Sequence, residues 1–306
     1  MDSMASTRNL DSWLGYISEQ HTEVIDMGLQ RFNQVLDQLQ RHKPAPTVIT
    51  VAGTNGKGTT CRMIEALLLQ GGYRVGTTLS PHIWRFNERI RLHGHDAGDD
   101  EICAAFAAID EARGDVALTY FEFSALAALY CMAQAQVDVA ILEIGLGGRL
   151  DAFNAIDPDI AVITSIGLDH QAFLGDTREA IGAEKAGILR SGQHVVLGQN
   201  MPASVLQRCE ELSLKPRCWG TDFSSASDID QGTWQLIRQG QASLEIPLTA
   251  IAPHNIALAC EAAADMVDLN LDLIARCSTL DMPGRMDIRR TKDRIWILDV
   301  CHNPDG

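Results

Sequence analysis

Long apolar runs are missing from this chain of 306 residues. No stretch approaches the roughly 20 apolar residues that a helix needs to cross a bilayer. The first residues, Met1-Asp2-Ser3-Met4, also lack the basic and then apolar pattern of a signal peptide. We therefore expect a cytoplasmic protein with no membrane partner. Because 46% of the residues are hydrophobic, the chain can bury a substantial core, as one large domain or two smaller ones.

Paired cysteines are missing as well. None of the eight cysteines stands in a Cys-x-x-Cys pair, so the sequence indicates neither a zinc knuckle nor a disulfide framework. We expect most of them to be small buried hydrophobic side chains in a reducing compartment.

Positive charge is scarce. The chain has 25 Lys and Arg against 40 Asp and Glu, a formal net charge of −15. Nucleic-acid backbones are bound by clustered Lys and Arg, so this balance argues against a nucleic-acid partner. An anionic ligand would need positive potential concentrated at one place.

What the chain does contain is a regular alternation of strands and helices. Thr47 to Ala52 is a β-branched run that stops at a glycine, and Thr60 to Leu69 is typical of a helix. Further segments repeat this pattern. The predicted strands are Arg74 to Leu79, Val137 to Ile144, Ile160 to Ile166 and His194 to Leu197, and the predicted helices include Phe121 to Gln136 and Ala257 to Met266. Nearly continuous apolar strands between helices predict an α/β fold, with a mostly parallel sheet covered by helices on both faces.

Two segments depart from the alternation. Residues 220–245 are rich in Ser, Asp and Gln, which predicts surface loops or a meandering edge hairpin. Ile295 to Val300 is a predicted strand with no partner region after it, and the chain stops at Gly306 just beyond a His302-Asn303-Pro304 turn. We expect a second domain to begin there.

A glycine-rich loop joins the first predicted strand to its helix. Its residues are Gly53, Thr54, Asn55, Gly56, Lys57, Gly58 and Thr59. Successive backbone N–H groups, a helix N-terminus and an ammonium group are what a polyphosphate requires. The loop departs from the common phosphate-loop spacing, because Val51 replaces the first glycine and Gly58 follows the lysine. The alternative is a strand-to-helix turn without a ligand.

Three polar side chains follow or end three predicted strands: Ser80, Glu143 and His170. In an open parallel sheet, ligands bind beyond the carboxyl ends of the strands, so these groups could converge beside the phosphate loop. A hydroxyl, a carboxylate and an imidazole could hold Mg²⁺ there, although imidazole is a less typical ligand. Singly, each has an ordinary alternative: a helix cap, a solvated charge and a core histidine.

The stretch from Glu143 to Asp151 is a second glycine-rich turn, and its glycines let a ligand approach the backbone. It contains Gly145-x-Gly147 but lacks the third glycine and the helical continuation of a dinucleotide-binding fingerprint. We therefore predict no such cofactor.

Eight motifs occur in order along the chain and together point to one family. They are Gly53 to Thr59, Ser80-Pro81-His82 with Asn87-Glu88-Arg89-Ile90, Phe121-Glu122, Glu143 to Asp151, Leu168-Asp169-His170, Glu184-Lys185-Ala186-Gly187-Ile188, Pro283-Gly284-Arg285 and Asp299-Val300-Cys301-His302-Asn303-Pro304. Combined, they resemble the dihydrofolate synthase/folylpolyglutamate synthase family, a branch of the Mur ligase superfamily. The resemblance extends from Ile25 to the end of the chain.

The resemblance implies a P-loop NTPase-like central domain of the Mur ligase type. Residues 1–288 would bind ATP and pteroate, and residues 289–306 would begin a smaller glutamate-binding domain that is largely missing. The implied reaction is ATP-dependent ligation of L-glutamate to dihydropteroate, to folates, or to both, through an acyl phosphate. Its implied partners are ATP as substrate, Mg²⁺, the pteroate or reduced folate, and glutamate.

The resemblance also implies roles for single residues. Lys57, His170 and Lys185 would be catalytic, and Lys185 would be carbamylated. Residues that would hold Mg²⁺ are Ser80, Glu143, His170 and Lys185. Beyond the loop, residues that would contact ATP are Asn255, Arg285 and Asp299. The pteroate would lie among Ile25, Asp26, Met27, Thr119, Phe121, Asp151 and Ala152.

Several alternatives stay open on the sequence. Phe121 is otherwise an ordinary core residue, and Lys185 a surface lysine paired with Glu184. Phe153 stands where the family usually has a small polar residue, which bears on the shape of the pterin pocket, and Cys301 where alanine is common. Other functions are a Mur ligase of cell-wall synthesis and a module that binds ATP without catalysis in this truncated form. We expect a monomer.

Overall fold

The computed structural model describes residues 8–21, 23, 25–40, 43–301 and 303 of the protein. The expectations on Met1-Asp2-Ser3-Met4, His302, Pro304 and Gly306 lie outside these residues. Among the residues described, no helix has both the length and the apolar character needed to pass through a membrane.

A mixed eight-stranded sheet forms the centre of the molecule. Its strands are β1 (Thr47–Ala52), β2 (Val75–Thr78), β3 (Ile90–Leu92), β4 (His95–Asp96), β5 (Val139–Glu143), β6 (Ile160–Ile163), β7 (His194–Leu197) and β8 (Arg217–Cys218). The spatial order is β4-β3-β2-β5-β1-β6-β7-β8; the pairs β2–β3 and β3–β4 are antiparallel, and the other pairs are parallel. The predicted α/β fold is confirmed. β1 and β7 have the predicted bounds, and β2, β5 and β6 lie within theirs.

Helices cover both faces of this sheet. They are α1 (Leu10–Ser18), α2 (Gln30–Leu39), α3 (Lys57–Gln70), α4 (Asp99–Arg113), α5 (Tyr120–Gln134), α6 (Gln171–Leu174), α7 (Arg178–Ala186), α8 (Ala203–Glu211), α9 (Pro253–Ala263) and α10 (Leu271–Cys277). One core cluster contains α1, α2, α4 and α5, with apolar residues of α7 and α8. The other contains α3, α9 and α10. Five of the eight free cysteines are buried, as predicted.

The polar segment 220–245 forms a separate antiparallel sheet rather than an edge of the main sheet. Its strands are β9 (Phe223–Asp228), β10 (Thr233–Arg238) and β11 (Leu244–Pro247), in the order β11-β10-β9. Trp234 and Leu236 alternate with more exposed residues along β10 and are fully buried. The sheet therefore packs through one apolar face onto the α9 side of the core, as the period of a strand allows.

The last strands form a hairpin of β12 (Asp287–Arg290) and β13 (Ile295–Leu298). The strand predicted from Ile295 thus pairs with the segment before it.

Two predicted helices begin earlier than expected. α3 begins at Lys57, inside the glycine-rich loop, and α9 begins at Pro253, a residue suited to the first helical turn.

Candidate active site

The glycine-rich loop connects β1 to α3 at the centre of the parallel sheet. Gly56 is the N-cap of α3, with φ of 83°, a conformation that favours glycine. The Lys57 ammonium donates hydrogen bonds to the carbonyls of Gly53 and Thr54, at 3.0 and 3.2 Å. The loop therefore holds its lysine beside a helix N-terminus, as a phosphate site requires.

Close contacts explain two of the loop glycines. A Cβ atom at Gly56 would collide with the side-chain oxygen of Asn255, on α9. A Cβ atom at Gly58 would lie 3.4 Å from a carboxylate oxygen of Glu143. The glycine that follows Lys57, which breaks the common motif, thus lets Glu143 approach the first turn of α3.

Glu143 ends β5 and is only 3% exposed. One of its oxygens accepts a hydrogen bond from the Ser80 backbone N–H, at 2.7 Å. Burial raises the pKa of this carboxyl, and the charge of Lys57 opposes that rise. The alternative of a solvated charge is therefore wrong. A buried carboxylate that lines a cavity is suited to a cation.

The polar groups predicted at the strand ends do converge. Ser80, Glu143 and His170 line one cavity of about 110 Å³, together with the loop from Thr54 to Thr59 and with Arg285. His170 caps α6 with φ of 49°, and its imidazole is about half exposed, which excludes the core-histidine alternative. The described residues contain no cluster of three His, Cys, Asp or Glu suited to a metal. Of the four residues predicted to hold Mg²⁺, only Glu143 carries a carboxylate.

Lys185 lies on α7 and is only 5% exposed. Its ammonium donates to the Gly53 carbonyl at 2.9 Å, the same oxygen that accepts from Lys57. Burial, and then the charge of Lys57, lower the pKa of Lys185 to about 7. Glu184 pairs with Arg149 instead, so the alternative of a surface lysine paired with Glu184 is wrong.

A cavity of about 620 Å³ opens beside the glycine-rich loop. All three predicted nucleotide residues outside the loop line it, together with part of the loop. The shared lining residues are Asn55, Gly56, Thr59, Asn255, Arg285 and Asp299. The amide oxygen of Asn255 is buried and has no partner among the described residues.

A second cavity, of about 330 Å³, borders the residues that follow β2 and β5. It is lined by all seven residues predicted to hold the pteroate. These are Ile25, Asp26, Met27, Thr119, Phe121, Asp151 and Ala152. Ser80 and His170 line this cavity as well as the one around the phosphate loop.

Asp151 organises the second glycine-rich turn. One carboxylate oxygen accepts from the N–H groups of Gly145 and Leu146, both at 3.0 Å, and the other accepts from Phe153 N–H at 3.0 Å. Burial raises the pKa of Asp151 to about 6, against these hydrogen bonds. Its structural task is therefore to hold the backbone that borders the cavity.

Phe121 is held between two neighbours. Its ring packs edge-on against Phe153, with centroids 5.8 Å apart. A Cβ atom at Gly145 would come within 2.6 Å of the Phe121 ring. Phe121 is thus partly a core packing residue, which was the alternative interpretation of this position, and it also lines the cavity. Phe153 is buried behind it.

Two polar contacts near the site were not predicted. Glu122 lines the second cavity, and one of its oxygens accepts hydrogen bonds from the Arg31 side chain and from the hydroxyl and backbone N–H of Thr119; its other oxygen is buried and has no partner in the described part of the chain. Asn303 exchanges hydrogen bonds with Asn55 of the loop, at 3.0 and 3.1 Å. Both residues stand in the quoted motifs; Thr119 and Glu122 form a local capping box, but no local pattern specifies the contact of Glu122 with Arg31 or that of Asn303 with Asn55.

Comparison with known proteins agrees with this geometry. A family model described as the Mur ligase middle domain matches residues 51–261. The dihydrofolate synthase/folylpolyglutamate synthase of Escherichia coli (strain K12) is 43% identical over 299 residues, which cover 96% of this chain and 70% of the relative. The same enzyme of Haemophilus influenzae is 48% identical, over 98% of this chain and 72% of the relative.

Solved structures are similar to the chain over nearly all of its length. The structure of E. coli FolC in complex with DHPP and ADP has a TM-score of 0.91 at 41% identity, and covers 98% of this chain and 72% of its own. A bifunctional folylpolyglutamate synthase/dihydrofolate synthase with Mn, AMPPNP and L-glutamate bound has a TM-score of 0.89 at 41% identity, over 98% of this chain and 73% of its own.

Proposed function

The chain belongs to the Mur ligase family, in its dihydrofolate synthase/folylpolyglutamate synthase branch, and from this premise we propose which of its residues perform the reaction. The enzyme is an ATP-dependent ligase that joins L-glutamate to a folate-type acceptor. One observation supports the assignment of residues: Ser80 and His170 line both the acceptor cavity and the phosphate-loop cavity. An acceptor carboxylate and a nucleotide phosphate could therefore meet at this boundary.

The reaction requires two substitutions. The acceptor carboxylate attacks the γ-phosphorus of ATP and ADP leaves, which gives an acyl phosphate. The amine of glutamate then attacks the acyl carbon, phosphate leaves, and an amide forms with loss of a proton. Phosphoryl transfer depends mainly on positioning and on neutralised charge. Lys57, held at the N-terminus of α3, would supply a cation to the phosphates.

Mg²⁺ would be held by Ser80, Glu143, His170 and Lys185. Glu143 fits this role because it is a buried carboxylate with an oxygen facing the cavity. The bound ion would neutralise charge on the phosphate oxygens. Ser80 would contribute its hydroxyl, while its backbone N–H fixes the orientation of Glu143.

A carbamate on Lys185 would complete this set. The ammonium would first lose a proton, and the neutral amine would then add to CO₂ and lose a second proton, so that Lys–NH–COO⁻ replaces Lys–NH₃⁺. That change would turn the repulsion between two lysines on one carbonyl into attraction, and would add an oxygen ligand suited to a hard metal. A mass increase of one CO₂ on the peptide containing Lys185 would support it, whereas an unmodified peptide from active enzyme kept under CO₂ would contradict it.

Asn255, Arg285 and Asp299 would contact the nucleotide. Arg285 lines both the 620 Å³ cavity and the phosphate cavity, which places its charge where the two meet. Asp299 accepts a hydrogen bond from Met286 N–H at 2.7 Å and is the part of residues 289–306 that would reach the nucleotide. Residues 1–288 would hold ATP and the pteroate.

We propose that the acceptor cavity takes both dihydropteroate and reduced folates, because the relatives in this branch are named for both activities. The pterin would lie among Ile25, Met27 and Phe121, and the reacting carboxylate would point toward Ser80. Phosphate release measured with each acceptor in turn tests this. Turnover with one class alone would restrict the enzyme to that activity.

Lys57→Ala tests the catalytic assignment. Release of phosphate that depends on acceptor and glutamate should fall by several orders of magnitude, because the cation beside the phosphates is removed. Lys43→Ala is the control, since Lys43 is exposed and pairs only with a surface carboxylate. Near-normal turnover of Lys57→Ala would contradict the assignment. Absence of ligation by the unaltered protein, with ATP still bound, would favour the non-catalytic alternative.

We also propose that the protein is a cytoplasmic monomer. Light scattering on the purified protein, with and without ATP, measures the mass of the particle. A dimer mass under both conditions would contradict the proposal.

A further inference from the structure

The acceptor cavity has a guanidinium group in its wall. Arg89 ends the 3₁₀ turn Phe86–Arg89 and lines the cavity together with Ser80 and Pro81. Ser80 and Pro81 also line the cavity around the phosphate loop. Arg89 is therefore at the end of the cavity that adjoins the phosphate loop.

Three neighbours fix the orientation of this guanidinium. Its Nε–H donates to Nδ1 of His82 at 2.8 Å. The group also lies over the rings of Phe86 and Tyr120, 5.9 and 5.7 Å from their centroids, at distances typical of cation–π contacts. Since His82 accepts through Nδ1, the imidazole there is neutral, in line with the lowering of its pKa by burial and by the charge of Arg89.

The two terminal nitrogens of Arg89 remain available. They donate no hydrogen bond within the part of the chain that the structure describes, and neither is among the fully buried polar atoms without a partner. Because the Arg89 side chain lines the acceptor cavity, these nitrogens are the groups that it can offer to a ligand there. A planar guanidinium with both terminal N–H groups free matches a carboxylate, which it binds through two parallel hydrogen bonds.

We propose that Arg89 binds the reacting carboxylate of the acceptor and holds it toward the phosphate loop. The proposal rests on the proposed function, because it takes the cavity as the pteroate site. Two anions, a carboxylate and a phosphate, must approach each other for the first substitution. A fixed cation between them lowers their repulsion at the point of reaction. Arg89 thus supplies on the acceptor side what Lys57 supplies on the nucleotide side.

The test compares two ligands that differ only in the carboxylate. One is dihydropteroate, and the other is the same pterin-methyl-aniline without its carboxylate. Their affinities are measured by calorimetry in the presence of ADP and Mg²⁺, so that no chemistry occurs. Arg89→Gln should weaken the binding of dihydropteroate about 10- to 100-fold, the range for a hydrogen bond between charged groups. Binding of the ligand without the carboxylate should change by less than about threefold.

Two further variants separate orientation from charge. Arg89→Lys keeps the charge but loses the paired N–H groups, and should recover only part of the affinity for dihydropteroate. Arg85→Gln is the control, because Arg85 is exposed, pairs with Asp99 and does not line the cavity. It should leave both affinities unchanged. If Arg89→Gln does not fold, as judged by thermal unfolding, the same comparison is made with Arg89→Lys.

Three outcomes would overturn the inference. Equal weakening of both ligands would make Arg89 a structural residue of the wall. Unchanged affinity for dihydropteroate with a raised KM for glutamate would assign the guanidinium to a glutamate carboxylate. If the unaltered protein binds ADP but neither pterin, the proposed acceptor cavity itself is wrong, and the inference is lost with it.

Discussion

Gly56 and Gly72 stand beyond the two ends of α3 and have almost the same backbone conformation, with φ of 83° and 85°. They differ in their surroundings. A Cβ atom at Gly72 would meet nothing within 4 Å, whereas one at Gly56 would collide with the side chain of Asn255. Alanine at these two positions therefore separates the cost of the backbone conformation from the cost of crowding in the nucleotide site.

The expected magnitudes follow from these two terms. A left-handed conformation costs an alanine about 1 to 2 kcal/mol, which is the whole effect expected for Gly72→Ala on the free energy of unfolding. Gly56→Ala should add about 1 to 3 kcal/mol, because Asn255 is buried and has little room to move. The displaced amide should also weaken ADP binding about tenfold or more, since that is the loss of about one hydrogen bond.

Urea unfolding, with and without ADP, measures both effects. The double variant Gly56→Ala/Asn255→Ala should lose most of the extra destabilisation, because the colliding side chain is removed. It should still bind ADP weakly, since the Asn255 amide is missing. If Gly56→Ala is no less stable than Gly72→Ala and binds ADP normally, the loop does not depend on this contact, and the explanation of Gly56 is wrong.

Two more perturbations address the acceptor cavity. Phe153→Ala should cost about 3 to 5 kcal/mol in the free energy of unfolding and weaken acceptor binding more than ADP binding, because Phe121 loses its edge-on partner. The control is Phe223→Ala, at a buried residue of the other core cluster, which should destabilise the fold without weakening acceptor binding in particular. If Phe153→Ala weakens acceptor and ADP binding equally, the argument is refuted. Because burial raises the pKa of Asp151 from 3.8 to about 6, its contribution to stability is greatest below pH 3.8 and falls as pH rises through 6. In urea unfolding, the free energy of unfolding of Asp151→Asn should therefore rise, relative to that of the parent, by up to about 3 kcal/mol as the pH is raised from 4 to 7. If the difference between variant and parent is the same at both pH values, the raised pKa of Asp151 is contradicted.

Local patterns predicted the frame of this fold well, because its central strands are buried on both sides. The β-branched run from Thr47 to Ala52 has the observed bounds of β1, and the neighbouring strands β5 and β6 were predicted in the same way, from short apolar runs. The apolar pattern was less informative at β10, where Trp234 and Leu236 flank the polar Gln235 within a polar segment. The polar composition of this segment made it hard to recognise the alternation of apolar and polar residues that a strand with one buried face requires.

The site was predictable only as far as topology determines it. Parallel strands bring their carboxyl ends to one edge, so Ser80 and Glu143 had to lie near the phosphate loop. Burial of Lys185 and the contact of Asn255 with Gly56 depend on helices that return from far along the chain. No local signal specifies such contacts, and the one with Asn255 is what requires a glycine at position 56.

The departure at Phe153 shows how an altered pocket can keep its chemistry. A large ring in place of a small polar residue would be expected to fill the pterin site. It lies instead behind Phe121 and does not line the cavity, so it acts on the shape of the wall through one aromatic contact. In another part of the cavity wall, Arg89 is held by His82, Phe86 and Tyr120 and takes no part in the contact between Phe121 and Phe153. We therefore expect a change at Phe153 to alter which pterins bind more than it alters the position of the carboxylate that we propose Arg89 to hold.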